Sequence, residues 1–210
     1  MKSGLLFFAK HAYPAALKSA CGPANPEILR KFIQTSQAPK NIRQILMNFP
    51  DAVKNLRRIA KTNGIKDIFD YRVVEAYWIG NNLLNKFPIQ TAPFHLSQVL
   101  KSIRSSQWSS GAAKFIEDCR IAYGRVLSVK QPITNRCIVG AAKVLEYWPL
   151  AIKNASLGFD CHRIKKVKFI DPHIRKNNLI SLHHNYICSS LTEKQFAHLG
   201  SQTLLRIIHQ

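Results

Sequence analysis

Apolar residues in the first half of the chain recur every three or four positions, the spacing of one face of a helix. Ile28, Leu29, Phe32 and Ile33 mark one such face. It opens at Asn25-Pro26-Glu27, where Asn serves as N-cap, Pro as first helical residue and Glu as an acid in the first turn. From Asn41 the pattern continues through Ile42, Ile45, Leu46, Phe49, Val53, Leu56, Ile59 and Ala60. Pro50 interrupts it, which predicts a kink or two short helices sharing one buried side. Asn63-Gly64 is the predicted left-handed stop. Asp70 caps a predicted helix from Tyr71 to about Lys86, with Val73, Val74, Tyr77, Trp78, Leu83 and Leu84 as its core residues. Pro93 opens a shorter one through Phe94, Leu96, Val99, Leu100 and Ile103.

A polar, Ser-rich break at Ser105 to Gly111 follows, and beyond it the period moves towards two. Cys119, Ile121 and Tyr123 alternate with Arg120 and Ala122, and Gly124 precedes Val126 to Val129, which suggests a bulge or tight bend in a small barrel. Further strands are predicted at Arg136 to Leu145, Arg163 to Ile170 and Leu179 to His183, separated by turns at Pro132, Asn154-Ala155-Ser156 and Asp171-Pro172. Ser190-Leu191-Thr192-Glu193 reads as a capping box for a last helix with Phe196, Leu199, Leu204 and Ile207 inward. The fold class is α+β: a helical part over residues 1–108, and a small β-barrel-like part over 109–210 that ends in a closing amphipathic helix.

Composition narrows the class. A chain of 210 residues with 46% hydrophobic content can bury a full core, so neither disulfide nor metal staples are required and global disorder is excluded. Its 31 Lys+Arg against 11 Asp+Glu give a net charge of +20, spread along the chain without a basic tail. Such a charge attracts phosphate backbones, anionic lipids or an acidic protein surface. Five widely spaced cysteines with no CxxC pair argue against a disulfide framework and point to a reducing cytoplasm. The apolar run from Gly4 to Ala9 imitates a leader peptide but is cut short by Lys10 and His11, and no stretch reaches the ~18 apolar residues of a membrane span.

Candidate chemistry is sparse. Lys54, Arg57, Arg58 and Lys61 fall on the solvent side of one amphipathic helix, where they would meet phosphates or an acidic partner, or simply be solvated. Glu75 sits among apolar neighbours, three residues from Trp78, and is expected to pair with an arginine. Cys119 has Arg120 and Arg125 near it to favour a thiolate, and Glu117 and Asp118 to oppose one. With His183 it would form a transition-metal site or, as an enzyme, a nucleophile and base; as a plain core residue it would be a small hydrophobe. Cys161-His162 and His183-His184 with Cys188 are further soft ligands, at a spacing that matches no zinc pattern. A Gly-rich phosphate loop, a paired-carboxylate block, HExxH and a nucleophile elbow are all missing from the sequence.

Several blocks in order resemble an uncharacterised bacterial family, one of the catalogued domains of unknown function. They are Tyr13-Pro14, Cys21-Gly22-Pro23, Val74-Glu75-Ala76-Tyr77-Trp78-Ile79-Gly80-Asn81, Cys119-Arg120-Ile121 with Gly124-Arg125-Val126, and Ser181-Leu182-His183 with Cys188. The resemblance marks Glu75, Trp78, Gly80, Asn81 and Gly124 as structural positions. It also implies a gene setting near nickel-iron hydrogenases. The C-terminal half is similar as well to hydrogenase-assembly chaperones of the HypC/HupF type, through Cys119 to Val126 and Leu179 to His183. In that family the cysteine is the first residue and holds an iron fragment, whereas Cys119 is internal here. Together these imply a non-catalytic accessory or assembly protein with an acidic-surfaced protein partner, linked to metalloenzyme maturation. The alternative is a basic nucleic-acid binder working through phosphate contacts.

Overall fold

The computed structural model describes residues 3–18, 26–103, 110–130, 139–153 and 156–209. The predicted boundary between residues 108 and 109, the turn at Pro132, Cys21 and Cys137 lie outside them.

Helix α1 (Gly4–Leu17) is the centre of the molecule. Ser3 caps it by accepting from the Leu6 amide, and Phe8, Ala9, His11 and Ala12 are all buried. Burial on nearly every side suits a helix whose residues are apolar all round. It packs against α2 (Pro26–Thr35), α3 (Ile42–Met47) and α5 (Tyr71–Trp78) on one side, and against strands β6 (Leu179–His183) and β7 (Tyr186–Leu191) on the other. Of the apolar run from Gly4 to Ala9, Gly4, Phe7, Phe8 and Ala9 are buried here.

Pro50 splits its pattern as expected: α3 ends at Met47, α4 (Pro50–Thr62) starts on the proline, and Ile42, Leu46, Val53, Leu56 and Ile59 share one buried side. Helix α5 is shorter than predicted. It stops after Trp78 because Gly80 takes φ +89°, a conformation closed to most side chains, and a Cβ there would lie 2.5 Å from the Gln202 side chain. Residues Asn82–Lys86 continue as a short 3₁₀ turn, and Ile89–Thr91 form another. Helix α6 (His95–Lys101) follows, and then α7 (Ser110–Cys119). The latter corrects the expectation that Cys119 begins a strand: it closes a helix, and β1 (Ala122–Lys130) starts three residues on.

β1, β2 (Gly140–Tyr147), β5 (Arg163–Phe169), β7 and β6 close into a five-stranded barrel in that order. All neighbours are antiparallel except β5 and β7, which run parallel. Strands β3 (Leu150–Lys153) and β4 (Ser156–Phe159) form a separate hairpin inserted between β2 and β5. Without that hairpin the connectivity is that of the OB-type barrel. Val126, Val144, Val167, Phe169, Ile180 and Ile187 fill the interior. The predicted bulge lies between Val126 and Ser128, just after Gly124. Gly124 itself is a close approach, since a Cβ there would meet the Leu145 carbonyl oxygen at 2.4 Å. Helix α8 (Glu193–Ile208) closes the fold, with its capping box at Thr192 and Gln195, two residues later than predicted. Leu199 and Ile207 point inward, whereas Leu204 is exposed. A single apolar cluster runs from Phe7 and Phe8 through Trp78 to Ile121, Tyr123, Leu191 and Leu199, so helical and barrel parts share a core. Among the described residues no helix is long and apolar enough to cross a membrane.

Candidate functional site

The block from Val74 to Asn81 lies on α5 and its stop, and it brings Trp78 to the junction of α1, α6 and β6. The indole is ringed by imidazoles. His11 stacks on it at 5.5 Å and 20°, His95 lies 4.6 Å away, and His183 5.9 Å away. His95 and His183 meet edge to face at 5.3 Å, and His184 stacks on His183 at 4.5 Å. All four histidines are buried, and they come from α1, α6 and the end of β6.

Hydrogen bonds set the tautomers of His11, His95 and His183. His11 Nδ1 donates to the Phe7 carbonyl at 2.9 Å, so its Nε2 accepts from the Ser181 hydroxyl at 3.0 Å, and Ser189 in turn stands 3.0 Å from Ser181. His183 Nδ1 donates to the His11 carbonyl at 2.7 Å, leaving Nε2 as its acceptor. His95 Nε2 donates to the Cys119 carbonyl at 2.8 Å. Its Nδ1 lone pair lies 3.1 Å from the Tyr77 hydroxyl oxygen, and that hydroxyl donates to Gln98 Oε1 at 2.7 Å. Three ring N–H groups are thus committed to main-chain carbonyls, and three lone pairs face the interior.

Burial keeps these rings neutral. It pushes His11 down to about 3 and His95 and His184 down to about 4. His183 is held well below the usual range by burial and by the neighbouring imidazoles. His184 opens the β6–β7 turn at φ +45°, followed by Asn185 at +65°, the backbone of a type I′ hairpin. Among the described residues neither its ring nitrogens nor the Trp78 indole N–H has a partner. Unpaired buried polar groups and displaced pKa values together make this cluster the candidate functional site.

The cluster opens onto a cavity of about 210 Å³ walled by Ala12, Phe49, Ala52, Tyr77, Trp78, His95, Gln98 and His183. Small residues leave the room, Trp78 and Phe49 offer flat apolar faces, and the neutral imidazoles offer acceptors. Asp51 stands at the rim.

The other predicted residues lie elsewhere. Cys119 is half-buried at the end of α7, and its link to the cluster is its carbonyl. Among the described residues no three His, Cys, Asp or Glu side chains gather as a metal site around it or His183. Cys188 is buried, which pushes its thiol far up, and Cys161 is exposed. Among the described residues Glu75 has no arginine ion-pair partner. It accepts from Asn81 at 2.9 Å and Gln195 at 2.5 Å, which ties α5 to α8. Glu75 and Asn81 line a separate polar pocket of about 370 Å³ with Arg72, Lys194 and His198. Gly80 and Gly124 are structural, as described above. Lys54, Arg57, Arg58 and Lys61 are exposed on α4, Arg58 donating to the Thr91 carbonyl at 3.1 Å.

His11 and His95 were not visible as site residues in the sequence, since their partners are up to 172 residues away. The one available signal was a histidine inside the apolar run of α1.

No curated protein and no solved structure matches the chain, so the likeness to hydrogenase chaperones gains no support. A family model does match, over residues 1–114, a stretch that includes His11, Trp78 and His95. On that match the chain belongs to a family of unknown function, DUF6390.

Proposed function

We propose that this protein is an accessory binding protein that takes a small, flat molecule bearing a hydrogen-bond donor into the Trp78–His95–His183 cavity. The observation behind this reading is the ring of neutral imidazoles around one buried tryptophan, open to a cavity of about 210 Å³. A desolvated lone pair is costly unless met, and a ligand N–H or O–H meets it. Ring stacking on Trp78 supplies the apolar part of the affinity. Binding in place of turnover fits the tautomers, because the ring protons of His11, His95 and His183 are held by main-chain carbonyls. The gene setting implied by the family resemblance makes assembly of a metalloenzyme the process we propose it serves.

Phenol is a suitable probe, with one donor and one ring. Saturating phenol is expected to raise the melting temperature of the wild type, as any ligand of the native state does. Ala52→Phe, which fills the cavity, is expected to remove the effect while leaving the protein folded. An equal rise in both proteins would contradict the assignment.

A further inference from the structure

Among the described residues, the charged side chains on the outward face of three adjacent barrel strands are all cations. In register, Lys130, Ala141 and Lys168 form one row across β1, β2 and β5. Ser128, Lys143 and Lys166 form the next, and Arg125, Leu145 and Ile164 a third. The five basic side chains are exposed, and no described acid bonds to any of them. Lys143 stands directly opposite Lys166 in the β2–β5 pairing. Like charges placed so destabilise a sheet, and six of the eleven acids are held by other cations. Glu27, Asp67, Asp70, Glu117, Glu146 and Asp171 all pair with other cations.

The strip leads to an aromatic. From Lys168 to Ile164 it runs four residues, ~13 Å of strand. Three residues beyond Leu145 is Trp148, 49% exposed. Its backbone is held at φ +51°, the left-handed region that a bulky side chain occupies only under constraint. The constraint is visible: buried Arg120 donates to the Trp148 carbonyl at 3.2 Å, and Glu117 accepts from the Leu150 amide at 2.9 Å. Trp148 and Phe159 then wall an apolar groove of about 300 Å³ with Tyr123, Phe196 and Leu204. A basic track that ends at an exposed ring on a hydrogen-bonded turn matches a phosphate backbone with unstacked bases, because cations follow the backbone and aromatics take the bases.

We propose that this face binds single-stranded nucleic acid, with Arg125, Lys130, Lys143, Lys166 and Lys168 on the phosphates and Trp148 stacked on a base. The site is separate from the Trp78 cavity and stands or falls independently of it. Fluorescence anisotropy with labelled twelve-residue deoxythymidine and uridine oligonucleotides tests it. Five phosphate contacts predict affinity falling about a hundredfold between 50 and 200 mM salt. Lys143→Gln/Lys166→Gln, which keeps the fold because both side chains are exposed, should lower the salt slope by about 1.4 and weaken binding about tenfold at low salt. Trp148→Ala should weaken it at least fivefold with the slope unchanged. Lys54→Glu/Arg57→Glu/Lys61→Glu on α4 should have the smaller effect. Binding that depends on the α4 variant and ignores the barrel variants would overturn the proposal. So would binding to phosphatidylserine vesicles or to poly-glutamate with none to either oligonucleotide, or no binding at all.

Discussion

His183 Nδ1 donates to the main-chain carbonyl of His11 at 2.7 Å, joining the last residue of a barrel strand to the central helix across 172 positions of sequence. The same stretch of β6 meets α1 again through the Ser181 hydroxyl and His11 Nε2. These two bonds fix where the barrel sits on the helices, and with it the cavity wall. His183→Phe keeps a ring in place and removes the first bond. It is expected to cost about 1 kcal/mol in urea unfolding at pH 7.5. A stability unchanged or raised would show that the bond does not join the two parts.

The buried imidazoles make stability depend on pH. Their folded pKa values lie below 6.5, so the unfolded chain binds more protons, and the native state has its full stability above pH 6.5. That stability is lost as pH falls from 6.5 towards about 4 for His95 and about 3 for His11. One unit below 6.5, these two residues together account for about 3 kcal/mol, at 1.36 kcal/mol per unit each. Urea midpoints at pH 7.5, 6.5 and 5.5 are expected to be flat above 6.5 and to fall steeply below. His95→Phe should make that fall shallower.

His184 is placed where its chemistry does not suit it. It sits at φ +45° in a two-residue turn, buried, with neither ring nitrogen partnered among the described residues. Asn tolerates this backbone and avoids the buried ring. His184→Asn is expected to stabilise the fold by about 0.5–1.5 kcal/mol and to weaken phenol binding, because the stack on His183 is lost. A destabilised variant would mean that the imidazole is structural.

Arg120 is buried at the base of the barrel, bonded to Glu117 at 2.8 Å and to the Trp148 carbonyl, and 3.6 Å from Glu146. Burial alone would raise the Glu117 carboxyl, but Arg120 and Arg163 hold it below the usual range. Arg120→Met leaves two buried carboxylates with Arg163 as their close partner, and a loss of about 3–5 kcal/mol is expected in urea unfolding. The same variant should release the Trp148 turn, seen as faster quenching of its fluorescence by acrylamide.

Local signals carried most of the fold. Pro50, Gly64, the Thr192 cap and the strand-like runs of β5 and β6 are decided by nearest neighbours, and each stands where or close to where its residues place it. Cys119 did not, because the alternation of Cys119, Ile121 and Tyr123 overlaps a helical repeat of Ile116 and Cys119, and packing of α7 on β3 favoured the helix. The short strands β3 and β4 were also missed, being only four residues each and too brief for a period to show. The candidate site was legible only in pieces. Trp78 and His183 stood out as members of sequence blocks, but what surrounds Trp78 is set by tertiary packing of α1, α6 and β6, which no spacing encodes. The basic face of the barrel was hidden for a similar reason. Its cations become neighbours only once the register of β1, β2 and β5 is known.

The most direct test of the cavity is a phenol titration of protein carrying ¹⁵N-labelled histidine, followed by NMR. Ring nitrogen shifts report which lone pair receives a hydrogen bond. The expected result is a saturable shift at Nε2 of His183 or Nδ1 of His95, with the exposed His162 unmoved and the response abolished by Ala52→Phe. Shifts of equal size at buried and exposed histidines, or none at saturating phenol, would contradict the account.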